Sequence, residues 1–218
     1  METPTRATLL KRVRDPADRT AWNEFDAIYR PLLQRYATLR GLRPADVEDV
    51  VQDCLTKLQQ RLPTFEYDPT RGRFKGLLKT IVRNRCANFV RDRRDRPAAD
   101  AVLDAQPATD DPPDELFEKV WLQEHLRHCL EQVRAEIDTG VFEAFRDYVL
   151  EEQSVEDVCR RWKMSAQQVY KLKWEVTQRL KRKMADLLGE EPGEPRAAPP
   201  SPQTDAVDAA RPPPERPA

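Results

Sequence analysis

Apolar residues recur every three or four positions through most of this 218-residue chain. This is the spacing of one helix face, and long β-branched runs are scarce, so the pattern predicts an all-α protein. Two small helical domains are expected, a helical bundle at residues 1–95 and a second domain at residues 114–188. Residues 96–113 and 189–218 lack the periodicity and are rich in Pro and Ala, which predicts a flexible acidic linker and a disordered Pro-rich tail.

Helix start and stop signals divide the first domain into segments. A short helix is predicted at residues 5–14. Asp18 suits the N-cap of a second helix, which Pro31 should kink or divide in two and Gly41 should end. Pro44 should open the next helix, because proline is favoured in a first turn. Together with the basic helix that follows, these segments should form a bundle of three or four helices.

Residues 71–96 combine an apolar stripe with an unusual density of positive charge. They contain ten Lys or Arg and two Asp, a net charge of +8. The stripe is formed by Phe74, Leu77, Leu78, Ile81, Val82, Cys86, Phe89 and Val90. Such a helix can bury one face and offer the other to phosphate groups. Asn84 and Asn88 lie among the arginines, and amide side chains can pair with base edges.

A second basic stretch, residues 160–183, also has a net charge of +8. Since the whole chain carries a formal charge of −1, the remaining residues carry −17. Two basic islands in an acidic chain indicate two separate surfaces that face anions.

Residues 154–180 fit a helix-turn-helix motif. Cys159 supplies the small residue that the crossing of two helices needs, and Ser165 can cap the second helix and donate to a phosphate. The apolar positions that fix the crossing angle are Val158, Trp162, Met164, Val169 and Leu172. An ordinary helical hairpin with a solvated basic face is the alternative, and the net positive charge favours DNA.

Patterns of catalytic or metal-ligating residues are missing from the sequence. The four cysteines are widely spaced without a CxxC pair and are predicted to be small core residues. His125, His128 and Cys129 share one helix, with no fourth ligand nearby in the sequence. We therefore expect no enzyme activity, no metal and no cofactor. Because there is no signal peptide and no apolar run long enough to span a bilayer, we expect a cytoplasmic protein with no membrane partner.

The order of these motifs resembles that of the extracytoplasmic-function (ECF) class of bacterial sigma factors, the promoter-recognition subunits of RNA polymerase. Residues 46–53 resemble the acidic helix by which the first domain binds the polymerase. Residues 74–84, followed by 91–94, resemble the helix that opens and recognises the −10 promoter element. Residues 156–169 resemble the helix-turn-helix that recognises the −35 element.

The resemblance implies three sets of site residues. The polymerase-binding set is Asp46, Asp49, Gln52 and Asp53. The −10 DNA set is Tyr67, Arg73, Phe74, Lys75, Lys79, Arg83, Asn84, Asn88, Arg91 and Arg94. The −35 DNA set is Ser165, Gln167, Gln168, Tyr170, Lys171 and Lys173. Phe74 is either a core residue or a stacking platform, and Arg83 is either a phosphate contact or an internal salt-bridge partner.

The implied partners are the bacterial RNA polymerase core enzyme and promoter DNA, with an anti-sigma factor as a further candidate. The sequence departs from the family at the turn of the helix-turn-helix, where Lys163 replaces the usual glycine. A lysine there costs strain if its φ is positive. The alternative function is a helix-turn-helix transcriptional regulator without a sigma role. The acidic and basic helices of the first domain argue against it, because such a regulator needs neither a polymerase contact nor a strand-opening surface.

Overall fold

The computed structural model describes residues 6–65, 73–94 and 114–188. Within these ranges the chain is helical and contains no strand, which confirms the all-α prediction. The helices are α1 (Arg6–Arg12), α2 (Arg19–Leu39), α3 (Pro44–Arg61), α4 (Arg73–Arg94), α5 (Glu115–Glu136), α6 (Thr139–Phe145), α7 (Val155–Trp162) and α8 (Ala166–Leu188). A 3-10 turn at Leu62–Thr64 follows α3, and a π-helical turn at Arg146–Leu150 follows α6. The predicted linker and tail lie outside the described residues.

The capping signals of the first helices are used as predicted. The carboxylate of Asp18 accepts a hydrogen bond of 2.9 Å from the backbone N–H of Ala21 and caps α2. Gly41 follows α2 with a φ of +85°, a conformation that glycine adopts without a steric penalty. Helix α3 begins at Pro44, where the missing N–H is not needed for a helical hydrogen bond.

Helix α2 continues through Pro31, so the alternative of a divided helix is wrong. A proline inside a helix removes one backbone hydrogen bond and introduces a steric clash. Tyr29, Leu32 and Leu33 around it are completely buried. The packing of this face therefore holds the helix together where local preference would break it.

Contacts between helices divide the chain at a different position from the one predicted. The first unit ends at Ile137 and also includes α8 from Gln178 onward, whereas the second unit runs from Asp138 to Thr177. The sequence pattern predicts that a second domain begins near residue 114. Instead α5 packs against α2, with Phe117, Val120 and other apolar side chains buried in the first core. The pattern shows that α5 has an apolar face, but it does not say which helix covers that face.

Aromatic rings form the centre of the first unit. The Tyr29 ring lies edge-on to that of Phe74, with centroids 5.2 Å apart, and the Phe25 ring lies 5.9 Å from Phe74. Trp121 of α5 joins the group at 6.2 Å from Tyr29. Edge-to-face pairs of this kind add to the free energy gained by burying each ring. These contacts fix α2, α4 and α5 to one another.

Three of the four cysteines are buried thiols, as predicted. Cys54, Cys86 and Cys129 lie in the core, and Cys159 is half-buried in the second unit. Burial raises the pKa of Cys86 and that of Cys129 to about 11, so both are protonated at neutral pH. All four are free of disulfide bonds.

A hydrogen bond fixes the start of α5 to the end of α2. The Tyr36 hydroxyl donates to Asp114 Oδ2 at 2.5 Å, while Asp114 Oδ1 accepts the backbone N–H of Phe117 at 3.0 Å. Burial acts to raise the pKa of Asp114, but the bonds from Tyr36 and Phe117, with Arg40 and Lys79 nearby, hold that pKa below its usual value. Burial and the Asp114 carboxylate raise the pKa of Tyr36.

We expect Tyr36→Phe to lower the free energy of unfolding by about 1–2 kcal/mol at pH 7, towards the low end of the range for a hydrogen bond to a charged group, because this bond is only partly buried. Because the pKa of Asp114 is lowered in the folded state, its stabilisation is present above the ordinary Asp pKa of about 3.9 and is lost as pH falls through the folded pKa. The loss of stability with falling acid pH should therefore be shallower in the variant. Urea unfolding between pH 7 and pH 3 measures this, and parallel curves for the two proteins would contradict it.

Candidate nucleic-acid and partner interfaces

Helix α4 has the two faces that its sequence predicts. The buried side chains are Phe74, Leu77, Leu78, Ile81, Val82 and Cys86, and Phe89 packs half-buried against the same core. They follow the 3.6-residue period, so one side of the helix is committed to the first unit. The side chains of Arg73, Val90, Arg93 and Arg94 lie outside the described residues, as does Tyr67.

Phe74 belongs to the core and is withdrawn from the DNA-contacting set. Its side chain is 0% exposed, and its ring is surrounded by Phe25, Tyr29 and Phe65. A base could stack on it only if this cluster opened. The sequence left both roles open because the same residue type serves for packing and for stacking.

The Lys75 side chain contacts two residues of α5 and is only partly exposed to solvent. Its ammonium pairs with the Glu118 carboxylate and lies 5.3 Å above the centre of the Trp121 ring. An ion pair and a cation–π contact both favour this position of the amine. A phosphate that binds Lys75 would therefore compete with Glu118 for the ammonium group.

The remaining described members of the −10 set lie along the outer side of α4. Lys79, Arg83, Asn84 and Asn88 are half-buried, and Arg91 is exposed. Arg91 donates to the side-chain oxygen of Asn88 at 3.1 Å. The Asn88 amide group still has its own N–H donors for a base edge.

Three of the four predicted polymerase-binding residues on the acidic helix α3 are exposed to solvent. Asp49, Gln52 and Asp53 are exposed. Asp46 is only 8% exposed, and its carboxylate accepts a bond of 2.8 Å from Arg43 just before the helix. Asp46 is therefore corrected from a partner contact to a residue that stabilises the start of α3, where a carboxylate also complements the helix dipole.

The second unit contains two helices joined by a tight turn, as the sequence predicts. Ser154 caps α7 by accepting the backbone N–H of Asp157 at 3.1 Å. Ser165 and Gln168 cap α8 reciprocally, because the Gln168 side-chain oxygen accepts the Ser165 N–H at 2.7 Å and the Ser165 hydroxyl accepts the Gln168 N–H at 3.3 Å. Part of the hydrogen-bonding capacity of Gln168 is thus used inside the protein.

Lys163 has a left-handed backbone conformation. The sequence raises this possibility, because the family that it resembles usually has a glycine at this turn. Its φ is +53° and its ψ is +42°, and its N–H donates to the carbonyl of Cys159 to end α7. An L-residue pays about 1–2 kcal/mol for this conformation, whereas glycine adopts it freely.

We expect Lys163→Gly to raise the free energy of unfolding of the second unit by about 0.5–1 kcal/mol, since the relieved strain exceeds the entropy that glycine adds to the unfolded chain. Hydrogen exchange of the α7 amides measures the change. Lys163→Ala is the control, because it removes the ammonium but keeps Cβ and should bring no gain. Faster exchange in the glycine variant would contradict the prediction.

The predicted −35 side chains are displayed by the first turns of α8. Ser165, Gln167, Gln168, Lys171 and Lys173 are exposed, and Tyr170 is half-buried. Two of these residues contact Tyr148 in the π-helical turn. The Tyr170 ring lies edge-on at 6.2 Å from that of Tyr148, and the Lys173 ammonium lies 5.1 Å above the Tyr148 ring. Tyr148, which no sequence pattern singles out, therefore orients both side chains.

Asp147 is a buried anchor that the sequence patterns also missed. Its side chain is 0% exposed. Oδ2 accepts the indole N–H of Trp162 at 2.9 Å and lies 3.3 Å from the Arg161 guanidinium, while Arg146 lies 3.5 Å from Oδ1. The Asp147 backbone carbonyl accepts the N–H of Gln153 at 3.0 Å. These bonds fix the end of α7 to the π-helical turn, and nothing in the helical periodicity distinguishes this Asp from a solvated one.

The histidines of α5 serve packing in the described ranges. There, no group of three His, Cys, Asp or Glu side chains is placed to hold a metal ion. His125 is buried beside Trp121, with Nδ1 2.7 Å from the Trp121 carbonyl and the two rings 4.2 Å apart. None of the described helices has a stretch long and apolar enough to cross a membrane.

Residues 27–96 match the family model of Sigma-70 region 2. The matched segment includes most of α2 and the whole of α3 and α4. No curated protein matches the chain. The match supports a sigma-70 family factor with a role in RNA polymerase binding and promoter melting, and it rests on the segment that contains the acidic and the basic helix. Helices α5 to α8 lie outside it.

Proposed function

We propose that this protein is an ECF-class sigma factor that directs promoter-specific transcription initiation. The observation that carries the proposal is α4, an amphipathic basic helix lying inside the segment that matches Sigma-70 region 2. One face of α4 is fixed in the core, so its cations are held in place before any DNA arrives. Since the bacterial polymerase is cytoplasmic, the protein would act in the cytoplasm.

In the first unit, α3 would bind the polymerase and α4 would bind DNA. Asp49, Gln52 and Asp53 are exposed on α3 and would contact the polymerase core. Basic side chains of α4 would hold the phosphates of a separating duplex at the −10 element, and the amides of Asn84 and Asn88 would bond to base edges. Catalysis is not required of any of these residues, since binding to separated strands shifts the duplex equilibrium towards opening.

In the second unit, the first turns of α8 would enter the major groove at the −35 element. Ser165 at the N-terminus of α8 would contact a phosphate, because its exposed hydroxyl can donate a hydrogen bond and the helix dipole favours an anion there. Gln167 and Tyr170 would contact bases, and Lys171 and Lys173 would contact bases or phosphates.

A reconstituted transcription assay tests this function. Purified protein is added to bacterial RNA polymerase core, and transcripts are mapped over a library of genomic fragments from the same source as the protein. A sigma factor gives transcripts with defined start sites that depend on both components. If no such transcript forms while the protein alone protects duplex DNA, the helix-turn-helix regulator is the better description.

Arginines at the end of α4 provide a quantitative check of DNA contact. Replacing Arg91, Arg93 and Arg94 with Ala should weaken promoter complexes and reduce the slope of log affinity against log salt by about one for each phosphate that is no longer bound. The affinity of holoenzyme for a mapped promoter between about 50 and 200 mM salt gives this slope. Lys119→Ala, on the exposed side of α5, is the control and should leave the slope unchanged. An unaltered slope in the triple variant would remove these arginines from the interface.

A further inference from the structure

Helices α3 and α4 form a basic cluster that the proposed function does not use. It consists of Lys57 and Arg61, which lie one turn apart on α3, and Arg85 on α4. Arg85 is fixed beside α3 because its guanidinium lies 3.7 Å from Asp53 Oδ2. Asp53 is one turn before Lys57, so the three cations share one edge of the α3–α4 pair. We call these three residues the α3–α4 basic cluster.

The charges of Lys57 and Arg85 are incompletely compensated within the protein. In the described part of the chain, the Lys57 ammonium forms neither an ion pair nor a hydrogen bond, although this residue is half-buried. Burial lowers the pKa of Lys57, and the neighbouring Arg85 and Arg61 lower it further, so the three cations lie close enough to repel one another. The Nε atom of Arg85 is buried and has no hydrogen-bond acceptor among the described residues. The Arg85 side chain is still 30% exposed, so a carboxylate that docks on its accessible side would offset the repulsion among the three cations.

The surroundings of the cluster favour a carboxylate over a nucleic-acid backbone. Asp49 and Asp53 are exposed on the same helix, in the two turns before Lys57. A phosphate backbone is negative along its whole length, so a strand lying on α3 would meet repulsion from these carboxylates. A protein segment can place an acidic side chain opposite Lys57 and a basic side chain opposite Asp49, and it then gains from both.

We propose that the α3–α4 basic cluster binds carboxylates of the protein partner that docks on α3. The charges of that partner segment would run in the opposite order to the charges along α3. This proposal rests on the proposed function, which makes that partner the RNA polymerase core. Helix α3 then offers one continuous interface, acidic in its N-terminal half at Asp49 and Asp53 and basic in its C-terminal half at Lys57 and Arg61. Reversed charge order also fixes the direction in which the partner segment lies on α3, because the opposite direction juxtaposes like charges.

The test uses the full-length chain, labelled with a fluorophore and titrated with purified bacterial RNA polymerase core. The variants are Lys57→Gln alone and Lys57→Gln combined with Arg85→Gln. The control is Lys119→Gln, which neutralises an exposed lysine on α5. We expect the double variant to bind the core about fivefold to tenfold more weakly and the single variant about twofold to threefold more weakly, with the control unchanged. Circular dichroism melting of each protein shows that it remains folded.

A parallel titration with labelled duplex and single-stranded oligonucleotides identifies the other possible occupant. Equal affinity of wild type and variants for DNA, with weaker binding to the core, supports the proposal. Unchanged affinity of a folded Lys57→Gln variant for the core overturns it, and so does weaker binding confined to the oligonucleotides. If the wild-type protein itself does not bind the core, the proposed function fails together with the partner named here. This result is distinguishable from failure of the basic-cluster proposal alone, because the wild-type protein shows it without any variant.

Discussion

Replacing Asp147 with alanine is expected to destabilise the second unit by about 1–3 kcal/mol, the cost of leaving a buried hydrogen-bond donor without its acceptor. The carboxylate is completely buried, and it accepts the Trp162 indole N–H and faces the Arg161 and Arg146 guanidinium groups. Alanine would leave the Trp162 indole N–H without its acceptor and would release the end of α7. The guanidinium groups lose less, because Arg161 is exposed to water and Arg146 also pairs with Glu151. If the second unit binds the −35 element as proposed, that binding should weaken as a consequence, although Asp147 itself is too deeply buried to touch DNA.

The stability of the Asp147 variant is best measured locally, because the chain divides into two units and need not unfold in a single step. Hydrogen exchange of the α7 amides and of the α8 amides up to Thr177 should accelerate strongly, with little change in α2 and α3. Asp147→Asn keeps an acceptor for Trp162 but removes the charge, so an intermediate effect is expected. Glu156→Ala, which removes an exposed carboxylate from α7, is the matched control. Unchanged exchange in the alanine variant would show that the buried network is dispensable.

Replacing Phe74 with alanine is expected to lower the stability of the first unit by about 3–5 kcal/mol, the range for removing a buried phenylalanine. Its ring is 0% exposed and contacts Phe25, Tyr29 and Phe65, so the substitution leaves a cavity between α2 and α4. Phe74→Leu fills most of that space and should cost considerably less. Urea unfolding followed by circular dichroism measures the difference.

The same variants separate a core role from a base-stacking role. If Phe74 acts only through packing, the leucine variant should retain promoter opening in proportion to the fraction that is folded. If the ring stacks on a base, the leucine variant should be folded yet defective in opening, because an aliphatic side chain gives a poor stacking surface. The second result would show that the aromatic cluster opens when DNA binds, contrary to the role assigned here.

The contact between Lys75 and Glu118 links the arrangement of α5 to the basic face of α4, which is the proposed DNA surface. Glu118 and Trp121 hold the Lys75 ammonium in the first unit. The same helix is fixed at its N-terminus by the bond from Tyr36 to Asp114. A Glu118→Gln variant therefore removes one contact of Lys75 while leaving the N-cap of α5 intact, and it complements the Tyr36→Phe variant described above.

The sequence by itself determined the helices and their faces. Asp18 and Ser165 cap helices as predicted, through hydrogen bonds within three residues, and such bonds depend only on local order. The stripe of α4 is buried as its periodicity indicates, because a 3.6-residue repeat places those residues on one side whatever covers them. The positive φ of Lys163 follows from the turn that separates two short-range helical patterns.

Only the tertiary structure decided which helices pack together and which charges remain available to a partner. An apolar face on α5 predicts burial, but only packing against α2 shows that α5 belongs to the first unit and that Glu118 reaches Lys75. Asp46 and Asp49 are alike in sequence, yet one is buried beside Arg43 and the other is exposed. The physical reason is range: caps and periodicity depend on neighbours within one or two turns, whereas burial and ion pairing depend on residues brought together from distant parts of the chain.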